Sequence, residues 1–292
     1  MRILFIGNVL LSLNLFKILL KHKANLVGAI TTKKSKFNSD YRDISQLCKK
    51  KKISLHYTKK INSKKTINWI TNKKPDYIFC FGWSQILNNS IISIPKKCII
   101  GFHPSKLPKF RGRHPIIWPI ILGAKTSAST FFIINKNIDD GPIVDQKIVK
   151  IFKNDDSYKL YKKIMNKAKL QVVEILDKIR KDKLSIFKNK KEESSNLRKR
   201  YFKDGEIDWR MSGQNISRLV RALNYPYPGA HLQYKNKIYK IWKVKIIKNK
   251  QMIEPGKVLS NHNQKPIIKC ADSAIQITKS HPKIPLKGTI YL

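Results

Sequence analysis

One histidine and one pair of carboxylates are the residues best placed to move a proton. His103 closes the apolar run 98–103, CIIGFH, and opens directly into a loop rich in Pro, Arg and Gly that ends in GRHPIIW at 112–118. Asp139 and Asp140 lie in the turn KNIDDGPIVDQ, 136–146, just past the carboxyl end of a second apolar run, STFFIIN, 129–135. Ligands of open α/β sheets bind beyond the carboxyl ends of the strands, so polar side chains at such ends are placed for catalysis. If the two runs are neighbouring strands, an imidazole and a carboxylate meet, an arrangement that orients the ring and raises its basicity for acid–base work. Each residue alone has a plainer reading, the histidine as a packing or surface residue and IDDG as an ordinary turn.

The elements that must hold these residues follow from periodicity. Residues 2–7, RILFIG, read as a buried strand feeding a helix over 8–22. Strands at 25–31, 53–58 and 75–82 alternate with helices near 43–52 and 63–73, a rhythm that implies βαβ units and a mostly parallel sheet. Leu160, Ile164, Ala168, Val172, Ile175 and Ile179 keep helical spacing through a long helix from Asp156 to about Arg180. Residues 181–200 are mostly polar and read as a linker. Beyond them a helix at 215–223 and the short alternating runs AHLQY, KIYKIWKVKII, GKVL, PIIKC and AIQIT predict a small β-barrel. The expected organisation is a Rossmann-like α/β catalytic domain over 1–185 with helices on both faces, a linker over 186–200, and an OB-like barrel over 201–292.

Composition bounds the function more loosely. The 292 residues carry 41% hydrophobic side chains, enough for a folded core, and a formal net charge of +43. Such charge ordinarily points to a polyanionic partner. Here Lys far outnumbers Arg and is spread evenly with Asn and Ile, the pattern of an AT-rich genome, so both origins stay open. The four cysteines form no CxxC pair and have no histidine at metal-ligand spacing, which argues against a zinc site and for a reducing compartment. Polar residues interrupt the apolar opening, and no run reaches the length of a membrane span. The expectation is a cytoplasmic protein with no membrane partner and no metal.

The run HPSKLPKFRGRHPIIW followed by STFFIINKNIDDGPIVDQ resembles the signature of the formyltransferases that use 10-formyltetrahydrofolate. FCFGWSQIL at 79–87 resembles their folate-facing strand and loop, and RKRYFKDGEIDW with LVRALNYPYPGAH is similar to the opening of their C-terminal domain. The resemblance implies His103 and Asp139 as catalytic residues, with a bound water assisting. It implies 10-formyltetrahydrofolate as co-substrate, held by Gly82, Trp83, Ile86, Leu87, Asn137 and Ile138. Gly101, Pro104, Ser105, Arg113, Trp118 and Trp209 are the implied substrate contacts.

Members of that family usually carry Asn two residues before the catalytic His, where the amide helps hold the formyl oxygen; this sequence has Gly101. Removing an oxyanion donor typically costs about 100- to 1000-fold in turnover. Three functions follow as expectations. The first is formylation of a nucleotide-linked amino sugar, favoured by GRHPIIW and by the short segment TTKKSKFNSDYRDIS, 31–45, where methionyl-tRNA formyltransferases carry a longer loop. The others are formylation of methionyl-tRNA, and a non-catalytic folate-, nucleotide- or nucleic-acid-binding relative. A homodimer is compatible with each.

Overall fold

Apolar β-branched runs make the centre of the first sheet. β1 (Ile3–Ile6) and β4 (Tyr77–Cys80) are buried along their whole length and pair in parallel. Burying each such side chain contributes roughly 1.5–3 kcal/mol. α1 (Leu10–Lys21) turns Leu11, Leu15, Phe16 and Leu19 inward at helical spacing. β2 (Leu26–Thr31), α2 (Ser45–Lys50), β3 (Leu55–Tyr57), α3 (Lys64–Asn72) and α4 (Asn89–Ile92) complete the wound half, before β5 (Cys98–His103). The structure is a computed structural model and describes residues 1–34, 40–189, 194–263, 265–285 and 290–292.

Two compact units result. Met1–Pro115, Thr126–Lys150 and Lys162–Leu197 make the first; Ile116–Lys125, Ile151–Tyr161 and Arg198–Leu292 make the second. The first holds a seven-stranded sheet in the order β3-β2-β1-β4-β5-β7-β8, with β7 (Thr126–Ile133) and β8 (Ile143–Lys150) antiparallel at one edge. A two-residue β6 (Arg111–Gly112) pairs in parallel with β9 (Asn196–Leu197). The stretch read from sequence as a linker therefore contributes a strand, and Phe187 within it bridges to Ile143. Its residues 190–193, and residues 35–39 of the segment 31–45, lie outside the described residues.

α6 (Ser157–Arg180) buries the same six positions its periodicity marked. The second unit contains α5 (Ile117–Ile121), α7 (Gly213–Ala222) capped by the Ser212 hydroxyl, and an antiparallel five-stranded sheet. Its strands are β10 (Ala230–Tyr234), β11 (Lys237–Ile247), β12 (Val258–His262), β13 (Lys265–Lys269) and β14 (Ala274–His281), in the order β10-β11-β14-β13-β12. The fold class read from the sequence holds: a mostly parallel α/β sheet followed by a separate C-terminal antiparallel β unit. Among the described residues, no helix is long and apolar enough to cross a membrane.

Candidate active site

Alternation along β5 puts Gly101 and His103 on one face, and the register pairs them with Phe132 and Thr130 of β7. β7 runs antiparallel to β5, so the reading that both strands offer their carboxyl ends side by side is corrected. The chain leaving β7 continues the ladder along β5 by one residue before the turn to β8. Ile134 N donates to Ile99 O at 2.9 Å, and the Ile134 side chain lies over Gly101. Gly141 closes this excursion so tightly that a Cβ there would sit 1.6 Å from Ile133 O, a position only glycine fills. Asp139, at the left-handed φ of 49°, is thereby delivered to the His103 ring.

His103 is 5% exposed, and both of its ring nitrogens face acceptors. Nε2 lies 2.9 Å from Phe110 O, and Nδ1 lies 3.4 Å from Asp139 Oδ2. A carbonyl can only accept, so Nε2 carries a hydrogen, and Nδ1 is the nitrogen whose proton can be exchanged with Asp139. Gly112 N donates to Asp139 Oδ2 at 3.0 Å. The adjacent carboxylate faces elsewhere: Asp140 pairs with Arg111 at 2.8 Å and accepts from Asn137 Nδ2 at 3.1 Å. Arg111 Nε also reaches Ile138 O, at 3.3 Å, so one guanidinium ties the loop after β5 to the turn after β7.

That loop is braced from within. The fully buried Ser105 donates through its hydroxyl to Lys109 O at 3.1 Å and to Phe110 O at 3.2 Å, while its own carbonyl accepts from Thr130 Oγ1 at 2.7 Å. Gln146 Nε2 donates to Leu107 O and Thr130 Oγ1. Ser105 thus holds the loop rather than presenting its hydroxyl to solvent. Pro104 follows His103 and is half-buried, and Arg113 is exposed, with its amide on Leu197 O.

The stretch after β4 begins at Gly82, whose φ of 69° and close approach to Val9 and Ser12 exclude a side chain. Trp83 Nε1 is buried and has no hydrogen-bond partner among the described residues. Ile86 and Ile138 are 61% and 54% exposed, whereas Leu87 is packed in the core. An orphaned buried donor and exposed apolar side chains suit a flat, polar-edged heterocycle such as a pterin. Asn137 is exposed, and its amide holds Asp140. Cys80, ending β4, is pushed up to about 12 by burial, so it offers no thiolate at neutral pH.

Two implied contacts belong to the second unit. Trp118 donates through Nε1 to Arg198 O at 3.1 Å, with the Arg200 guanidinium 4.9 Å from its ring. Trp209 is buried beside Asp208 and Arg210 at a cleft of about 240 Å³. Phe110, Arg111, Ile134 and Ser195 were not singled out from the sequence. Of these, only Arg111, within KFRGR and paired with Asp140, carried a signal in its residue type.

Comparison with known proteins adds a family to this geometry. The formyl transferase profile matches residues 1–176, and the profile of the formyl transferase C-terminal domain matches residues 202–290. The bifunctional polymyxin resistance protein ArnA of Wigglesworthia glossinidia brevipalpis is 40% identical over 228 residues, covering 78% of this chain and 34% of that protein. The chain thus spans about a third of that relative's length. A methionyl-tRNA formyltransferase of Caldanaerobacter subterraneus is 27% identical over 282 residues, 95% of this chain and 91% of that one. Among solved structures, the N-formyltransferase of Helicobacter canadensis, in complex with folinic acid and dTDP-3-aminofucose, superposes with a TM-score of 0.72 at 19% identity, over 94% of this chain and 98% of its own.

Proposed function

The chain belongs to the formyl transferase family, and from that premise we propose that it transfers a formyl group from 10-formyltetrahydrofolate to the amine of a nucleotide-linked amino sugar, with His103 and Asp139 as its catalytic residues. The observation that carries the reading is the 3.4 Å approach of His103 Nδ1 to Asp139 Oδ2, which sets an imidazole and a carboxylate face to face beside the loop that follows β5. The acceptor amine attacks the formyl carbon, the bond from that carbon to the folate nitrogen breaks, and the amine's proton passes to that nitrogen. Asp139 takes the proton from the amine. His103, its Nε2–H held by Phe110, takes that proton from Asp139 at Nδ1 and donates from Nδ1 to the charge that develops on the formyl oxygen, before the proton goes on to the folate nitrogen.

Trp83, Ile86 and Ile138 hold the folate, the first through its unpartnered Nε1–H and the others by apolar contact. The amino-sugar acceptor is supported by GRHPIIW at 112–118, by the short segment from Thr31 to Ser45, and by the sugar bound in the Helicobacter canadensis structure. A methionyl-tRNA acceptor is the second reading; it draws on the full-length match to the Caldanaerobacter enzyme and on the +43 net charge.

The test follows tetrahydrofolate release by absorbance, with 10-formyltetrahydrofolate and a panel of nucleotide-linked amino sugars beside methionyl-tRNA. Turnover with a sugar that is abolished in His103→Ala supports the proposal. Turnover with the tRNA alone transfers it to the second reading. No turnover with any acceptor makes the chain a non-catalytic member.

A further inference from the structure

We propose that Ser195 is a positioning residue for His103, and that residues 194–197 complete the active site by fixing which ring nitrogen carries the hydrogen. The inference rests on the reading of His103 as a catalytic residue. It starts from Phe110, a bulky residue held at a left-handed φ of 62°. Such a conformation costs on the order of 1–3 kcal/mol and persists only where the surroundings over-determine it.

Here both ends of the residue are tied. Phe110 N donates to Ser195 Oγ at 2.9 Å, while Phe110 O accepts from Ser105 Oγ and from His103 Nε2. The backbone of Ser195 adds two bonds, its N–H to Pro108 O and its carbonyl from Arg111 N, and β9 pairs with β6 immediately afterwards. Among the described residues of this segment, the half-buried Ser195 hydroxyl is therefore the side-chain group that bonds Phe110.

The chemical consequence lies in the tautomer. Two acceptors compete for the imidazole: the Phe110 carbonyl demands a hydrogen on Nε2, and the Asp139 carboxylate attracts one to Nδ1. If Phe110 relaxes to an ordinary φ, its carbonyl turns away and the neutral ring settles as Nδ1–H beside Asp139, with a bare Nε2. The ring then has its hydrogen on Nδ1 already and no partner for the other nitrogen. With Ser195 in place, the neutral ring keeps its hydrogen on Nε2, and Nδ1 remains the site that gains or loses the shared proton.

The experiment compares Ser195→Ala and Ser195→Thr with the unchanged protein. The His103 tautomer is read from long-range ¹⁵N–¹H correlation spectra above neutral pH, with His103→Ala to assign the signals. Ser195→Ala should move the neutral ring from Nε2–H toward Nδ1–H. It should also lower kcat about 10- to 100-fold at unchanged KM with whichever acceptor the panel selects, and Ser195→Thr should restore both. An unaltered His103 spectrum in folded Ser195→Ala overturns the proposal, and so does a loss of activity tracking a lower Tm that threonine does not rescue. The spectra stand apart from turnover: should His103→Ala remain active, the catalytic reading fails while the tautomer measurement still decides whether Ser195 sets the ring.

Discussion

The Ile134 side chain occupies the space that a side chain at Gly101 would need. A Cβ at 101 would lie 2.8 Å from Ile134 Cγ1 and 3.0 Å from Phe132 Cε1. Glycine at this position is therefore part of a packed arrangement rather than a simple deletion. It leaves room for the Ile134 side chain where the β5–β7 ladder ends, just before the turn that brings Asp139 to the ring. An apolar wall fills the space where the family resemblance implies an amide.

Introducing an amide at position 101 should harm the protein. Gly101→Asn forces Ile134 and Phe132 to move, an overpacking that typically costs about 1–3 kcal/mol, and the melting temperature should fall by several degrees. Gly101→Asn combined with Ile134→Ala vacates the space and should recover much of the loss. Thermal unfolding of the three proteins checks this. A single variant as stable as the parent would show that the two positions are not coupled.

His103 was legible in the sequence because CIIGFH is an uninterrupted apolar strand that stops at a polar residue, and His103 does end β5. The direction of β7 was not, since alternation marks a strand without saying which way it pairs. β8 escaped notice because Asp145, Gln146 and Lys147 break its apolar pattern. Ser195 escaped for a related reason. Its segment is polar and two of its residues form β9, so only the fold reveals that it grips the loop after β5.

Three of the four thiols should be inert in the native state. Burial pushes Cys48 and Cys80 up to about 12 and Cys98 to about 11, whereas an unfolded cysteine ionises near 8.5. Ellman's reagent at neutral pH should react slowly with these three in the native protein and rapidly with all four cysteines in denaturant. The native rate should climb only as the pH approaches about 11. A fast native reaction, mapped to Cys48 or Cys80, would contradict the burial argument.

His231 gives the second unit an acid sensitivity. It is 2% exposed, its Nδ1 has no hydrogen-bond partner among the described residues, and it stacks on Phe202. Burial first, then the nearby Lys240, hold its pKa below the ordinary value against an opposing pull from Glu206. The unfolded chain, titrating near 6.5, binds this proton more readily than the folded one. Stability should therefore fall as the pH drops through about 6.5, with a slope of at most about 1.4 kcal/mol per pH unit from this group, until the folded value is reached. Urea unfolding across that range should show a shallower dependence in His231→Phe than in the parent; equal slopes would remove His231 as the cause.

Asp139→Asn separates charge from shape at the candidate active site. Asparagine tolerates the left-handed φ of 49° and keeps an oxygen to accept from Gly112 N, so the turn and the stability of the first unit should survive. What disappears is the carboxylate 3.4 Å from His103 Nδ1, and with it both the acceptor for the amine's proton and the partner of the shared one. Turnover should drop by about 100- to 10,000-fold with little change in KM, while Asp140→Asn, which weakens the pairing with Arg111, should act mainly on stability. The contrast rests on the positions of two adjacent carboxylates, one turned to an imidazole and the other to a guanidinium. If Asp140→Asn abolished turnover in a fully folded protein and Asp139→Asn left it intact, the proton route would have to run through the other carboxylate.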